Sequence, residues 1–82
     1  ELTTAEFDLL RILMSAAGRV LSRDQLMEAL HGTSWSYFDR SIDVHVSRIR
    51  QKIEASPRQP ALLKTVRGVG YQFARPSDVE EG

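Results

Sequence analysis

Ser41, Val44, His45 and Arg48 recur at i, i+3, i+4 and i+7, with Arg40 and Arg50 on their flanks. On a helix that spacing gathers a guanidinium, an imidazole, a small hydroxyl and a methyl-bearing side chain onto one face. These groups can read base edges in a DNA major groove. A guanidinium bonds guanine bidentately, a valine meets the thymine methyl, and a serine hydroxyl donates or accepts. Ile42, Val46, Ile49 and Ile53, at i, i+4, i+7 and i+11, form an apolar stripe on the other side. A helix that only covered a core would not need the second pattern, although an ordinary amphipathic surface helix is the plain alternative.

Within that face Arg48 is the first choice for a base contact, with Val44 and Ser41 beside it. Arg40, His45 and Arg50 suit phosphates, which fix register and specify little. The helix is predicted over 39–54. At 1.5 Å per residue it is a rod about 24 Å long, able to lie in a groove about 12 Å wide.

Downstream, Leu62–Val66 and Gly70–Ala74 read as two strands around Arg67-Gly68-Val69-Gly70, a turn whose glycines tolerate positive φ. Arg67 at its tip can enter a minor groove or touch a phosphate. A lone G-x-G can also suggest a phosphate cradle, but no helix follows Gly70, which argues against a nucleotide-binding loop. Tyr71 and Phe73 alternate to one face, which fits a core better than a stacking platform. Helix plus basic hairpin is the layout of a winged helix-turn-helix.

The charge distribution agrees, although the net charge is zero. Residues 1–35 carry three basic side chains against five acidic ones, residues 36–75 eight against three, and residues 76–82 none against three. The balances are −2, +5 and −3, so the basic excess falls on the segments that the helix and hairpin patterns select. A solvated basic surface is the bland reading of the same numbers.

The elements that must hold this face in place are also legible. Thr3 with Glu6 makes a capping box opening a first helix, whose apolar stripe is expected to be Phe7, Leu10, Leu13, Met14 and Ala17, widened by Leu9 and Ile12. Gly18 is the expected stop. Ser22 with Gln25 repeats the signature before a short helix through Leu26, Ala29 and Leu30, with Val20 and Leu21 placed as a hydrophobic staple. A loop with three aromatics, Trp35, Tyr37 and Phe38, separates it from the third helix, which Ser56-Pro57 is expected to end. That loop suits either an exposed contact patch or a lid over the core.

Eighty-two residues bound the chain to one domain, with 41% hydrophobic and 27% charged residues, an ordinary globular composition. No cysteine is present, so disulfides and thiolate metal sites are excluded, and His31 and His45 lack partners at ligand spacing. Neither a metal nor a cofactor is expected. No glycine-rich elbow presents a nucleophile, so an enzyme is not expected either. No apolar run approaches a membrane span and no signal-peptide pattern is seen, leaving the cytoplasm as the expected location.

Four segments together resemble the effector domains of OmpR/PhoB-type bacterial response regulators, closest to the OmpR branch. Leu2-Thr3-Thr4-Ala5-Glu6-Phe7-Asp8-Leu9-Leu10 is similar to their first helix, and Leu21-Ser22-Arg23-Asp24-Gln25-Leu26 to their second. Asp39-Arg40-Ser41-Ile42-Asp43-Val44-His45-Val46 resembles their recognition helix, and Lys64-Thr65-Val66-Arg67-Gly68-Val69-Gly70-Tyr71 their C-terminal hairpin. His31 stands where many relatives carry tryptophan, and Ser47 where they often carry a basic residue.

The resemblance implies an α+β winged helix-turn-helix of three helices followed by a C-terminal hairpin wing. The family's four-stranded N-terminal sheet would be largely missing, leaving part of the first helix's apolar face bare, so the chain reads as an excised piece. It implies a domain over 1–75 and a flexible tail over 76–82. Arg40, Ser41, Val44, His45, Arg48 and Arg50 would face DNA, joined by Thr65, Arg67 and Tyr71 from the hairpin. The loop His31, Gly32, Thr33, Ser34, Trp35, Ser36, Tyr37, Phe38 would contact RNA polymerase. An upstream receiver domain, a sensor histidine kinase, and dimeric binding to tandem direct repeats complete the expected set of partners, with no membrane among them. A protein-interaction module is the rival from another class, and a catalytic or metal-binding domain the third.

Overall fold

The computed structural model describes residues 1–33 and 41–75. In chain order these form α1 (Thr4–Ser15), β1 (Val20–Leu21), α2 (Arg23–Leu30), α3 (Ile42–Ile53), β2 (Leu63–Val66) and β3 (Gly70–Phe73). The three helices pack with an antiparallel sheet of order β1-β3-β2. This is the α+β winged-helix arrangement expected from the sequence, with β2 and β3 as the wing.

Both capping boxes form. The Glu6 amide donates to Thr3 Oγ1 at 3.2 Å, and the Thr3 amide donates to Glu6 Oε1 at 3.1 Å. Ser22 and Gln25 repeat the exchange at 3.0 and 2.8 Å. Each pair satisfies two amides that the first helical turn cannot. After α1 the chain turns through Gly18, at φ 89°, and the Gly18 amide donates to the Phe73 carbonyl at 2.8 Å. A positive φ there is strained for any residue with a Cβ.

The first helix buries a different stripe from the one expected. Glu6, Leu9, Leu10 and Leu13 face inward at i, i+3, i+4 and i+7, whereas Phe7 and Met14 remain 55% and 51% exposed. The apolar residues of α1 cover so much of the helix that periodicity alone leaves its inward direction open. The buried carboxylate of Glu6 is paired with Lys52 Nζ at 2.7 Å, which couples α1 to α3.

The core joins all the layers. Leu9 and Leu13 meet Leu26 and Leu30 of α2, Ile42, Val46 and Ile49 of α3, and Leu63 of β2, all essentially inaccessible. Burial of each such side chain contributes about 1.5–3 kcal/mol. The α3 stripe is therefore as expected, with Ile53 packed at its edge.

Two helix ends and one strand differ from expectation. Ser41 is the N-cap of α3, with non-helical φ −86° and ψ 52°, so the helix starts at Ile42 and not at residue 39. Asp39 and Arg40 lie outside the described residues. The other end stops at Ile53, ahead of Ser56-Pro57, because Glu54 is extended and its buried carboxylate takes backbone amides. Ala61, Leu62 and Leu63 donate to it at 2.9, 3.0 and 2.7 Å, folding 54–63 into the start of β2. Val20 and Leu21 do more than flank a cap: they form β1 and pair with Gln72 and Tyr71.

The glycines of the wing have separate reasons. Gly68 has φ 75° in a turn closed by the Val69 amide on the Val66 carbonyl at 3.0 Å, as position i+2 of a type II turn requires. Gly70 has no positive φ; it already belongs to β3, and a Cβ there would overlap the backbone carbonyl of Leu21 in β1. Close approach of strands, and not turn geometry, demands that glycine.

Candidate nucleic-acid interface

With Ile42, Val46 and Ile49 buried, α3 turns its opposite side to solvent. Val44 is 47% exposed, and Ser47, Arg48 and Gln51 are exposed with it. Ser41 sits half-buried at the start of the same face. Gln51 was missed by sequence reasoning, although its place seven residues beyond Val44 and three beyond Arg48 marks it on this row.

His45 does not join them. It is only 9% exposed, with Nδ1 2.9 Å from the Ser41 carbonyl oxygen. A carbonyl only accepts, so Nδ1 carries the proton in that bond. At 100° per residue His45 falls about 40° from Ile49 and about 60° from Arg48, on the border of the buried stripe.

Arg50 is likewise committed. Its Nε donates to the Leu63 carbonyl at 2.9 Å and its Nη2 to Thr65 Oγ1 at 2.7 Å, tying α3 to β2. Two residues expected at the interface thus meet each other. Tyr71 is buried, as its alternation with Phe73 suggested, and the guanidinium carbons of Arg23 and Arg50 stand 5.6 and 5.7 Å from its ring centroid. Its hydroxyl donates to Asp43 Oδ1. Arg23 meets the same carboxylate through Nε at 2.9 Å and Nη2 at 3.1 Å.

These contacts set the electrostatics. The bonds from Arg23 and then Tyr71 hold the Asp43 carboxyl below its ordinary value, and the bond to Asp43 raises Arg23. Burial, followed by the bond to Asp43, pushes the Tyr71 hydroxyl up. The Lys52 ammonium holds Glu6 below the usual carboxylate value.

At the hairpin, Arg67 and Lys64 are exposed and Val69 stands 52% exposed at the turn. Arg67 and Arg48 thus stand exposed on the two elements that Arg50 and Tyr71 tie together. Of the loop expected to meet polymerase, His31 and Gly32 are exposed, and Thr33 donates through Oγ1 to the Leu30 carbonyl at 2.6 Å. Ser34 to Phe38, Arg40 and residues 76–82 lie outside the described residues. Among the described residues no His, Asp and Glu cluster could hold a metal ion, and no helix is long and apolar enough to cross a membrane.

Comparison with known proteins agrees with this geometry. Residues 1–73 match the family described as transcriptional regulatory protein, C terminal. The chain belongs to that family, the C-terminal domains of OmpR/PhoB-type regulators. It is 50% identical over 68 residues to the sensory transduction protein RegX3 of Mycobacterium leprae, covering 83% of this chain and 34% of that protein. It resembles the Klebsiella pneumoniae RstA DNA-binding domain, solved in complex with the RstA box, with TM-score 0.75 and 43% identity over 90% of this chain and 73% of that one. The Thermotoga maritima response regulator DrrB, an OmpR/PhoB homolog, gives TM-score 0.76 at 37% identity over 92% of this chain and 34% of that one. The chain spans about a third of the length of the curated relatives it matches.

Proposed function

We propose that this chain is the output domain of a two-component response regulator and binds duplex DNA sequence-specifically to control transcription. In this reading α3 lies in the major groove and the hairpin tip 67–70 rests on the adjacent backbone or minor groove. The observation that carries it is the division of α3: Ile42, Val46 and Ile49 are buried, while Val44, Ser47, Arg48 and Gln51 form a continuous exposed row. The likeness to an RstA domain solved on its box supports it.

Arg48 reads a base edge, with Val44 and Ser41 beside it, and Arg67 with Arg40 meets the backbone. Arg50, Thr65 and Tyr71 act mainly by fixing α3 against the wing. The longer protein would carry a receiver domain phosphorylated through a sensor histidine kinase and would act in the cytoplasm. It would bind tandem direct repeats as a dimer and contact RNA polymerase through 31–38.

Affinity should come largely from phosphate neutralisation. Fluorescence anisotropy on a labelled random duplex should show affinity falling on the order of a hundredfold between 50 and 200 mM salt, if four cations meet phosphate. Absence of salt-dependent binding would remove DNA as the partner and leave a protein-docking module.

A further inference from the structure

Asp43 is an acid on a basic face. It lies in the first turn of α3, next to Val44, with its side chain 58% exposed. A carboxylate there repels a phosphate backbone and weakens binding to any duplex. Three donor groups converge on it from two other elements. Arg23, the first residue of α2, supplies a bidentate pair, and Tyr71 of β3 supplies its hydroxyl. Both the Arg23 and the Arg50 guanidinium stand over the Tyr71 ring, and Arg50 in turn bonds Leu63 and Thr65 of β2. The series Arg23, Asp43, Tyr71, Arg50, Thr65 therefore runs unbroken from the second helix, across the recognition helix, to the outer strand of the hairpin.

From this arrangement we infer that Asp43 is a specificity-determining positioning residue, which fixes the recognition helix against the hairpin and keeps the Arg23 guanidinium away from phosphates. The inference rests on the DNA-binding reading above and deepens it. Two consequences follow from one carboxylate. Its geometry fixes where Val44 and Arg48 point relative to Arg67, which matters only on the correct sequence. Its charge, and its hold on an otherwise exposed cation (Arg23 is 54% exposed at the side chain), lowers affinity for every sequence alike. Together they widen the margin between right and wrong sites.

The test is Asp43→Asn, which keeps the shape. An amide offers one acceptor oxygen and turns an NH2 toward Arg23, so the bidentate pair cannot persist. Binding is measured on random duplex and on a site selected by the wild-type protein from a random pool. Random-duplex affinity should rise about three- to tenfold and the salt slope steepen by about 1, as one freed arginine gives. Affinity for the selected site should not rise, so the ratio of the two falls. Tyr71→Phe keeps the ring beneath the guanidiniums and removes only the hydroxyl; it should lower the ratio with the slope unchanged, and it carries the test if Asp43→Asn does not fold. A role in mere support predicts equal losses on both duplexes, and that result, or an unchanged ratio, overturns the inference. Amide chemical shifts of 66–72, recorded without DNA, should move in both variants. If the wild-type chain binds no duplex, the DNA reading falls, while static hairpin shifts would separately show that Asp43 does not couple helix to wing.

Discussion

Arg48 and Arg50 are two residues apart on one helix, yet the fold gives them different work. Arg48 is exposed beside Val44, whereas Arg50 spends its guanidinium on the Leu63 carbonyl and the Thr65 hydroxyl. Arg48→Ala should therefore cost about 1–3 kcal/mol on a selected site and little on random DNA. Equal losses on the two, measured by anisotropy, would show that Arg48 touches phosphate only. Periodicity made Arg48 and Val44 legible, because both lie far from the isoleucine stripe. It did not foresee the burial of His45, which sits at the border, where a few tens of degrees decide exposure. Nothing in the pattern could have revealed that Glu54 closes a loop on three amides, or that Asp43 has partners 20 and 28 residues away.

At the scale of elements, the capping boxes fixed where α1 and α2 begin, since the residues that satisfy a first turn are sequence neighbours. The end of α3 was less legible because its stop is a carboxylate acting on amides seven to nine residues onward. β1 was missed for a related reason. Two residues carry too little alternation to announce a strand, and Val20–Leu21 becomes one only by pairing with Gln72 and Tyr71. The wing glycines separate these effects. Gly68→Ala meets nothing within 4 Å and suffers only its backbone conformation, about 1–2 kcal/mol. Gly70→Ala drives a methyl into the Leu21 carbonyl and should destabilise more, by about 1–3 kcal/mol or beyond, because backbone must move. Thermal melts of the two variants should rank them in that order; the reverse ranking would mean β1 is not held tightly against β3.

For the whole molecule, two of its acidic groups act as clasps between distant segments: Glu6 between α1 and α3, and Asp43 between α2, α3 and β3. Lys52 holds Glu6, and Arg23 holds Asp43, below their ordinary values of 4.5 and 3.8. A carboxylate with a lowered folded value stabilises fully above its unfolded value, and the contribution fades as pH falls through the folded one. The melting temperature should thus show little dependence on these groups at neutral pH and decline as pH drops below about 4.5. Glu6→Gln should flatten that decline. Wild type melting equally at pH 3 and pH 6 would show that neither clasp contributes. Among the described residues of the basic segment, Arg48, Arg58, Lys64 and Arg67 are exposed, but Arg50 and Lys52, counted in it, are engaged within the fold.

By itself the sequence determined the order of the three helices and the hairpin, the caps that open α1 and α2, the buried side of α3 and the basic turn, because each depends on residues within a turn or two of one another. The tertiary structure alone decided which way α1 faces, that Gly70 must lack a side chain, and which cations of the basic segment are bound to the fold. Those outcomes depend on groups that meet only after the chain has closed on itself, where a hydrogen bond or a steric overlap has no local signature.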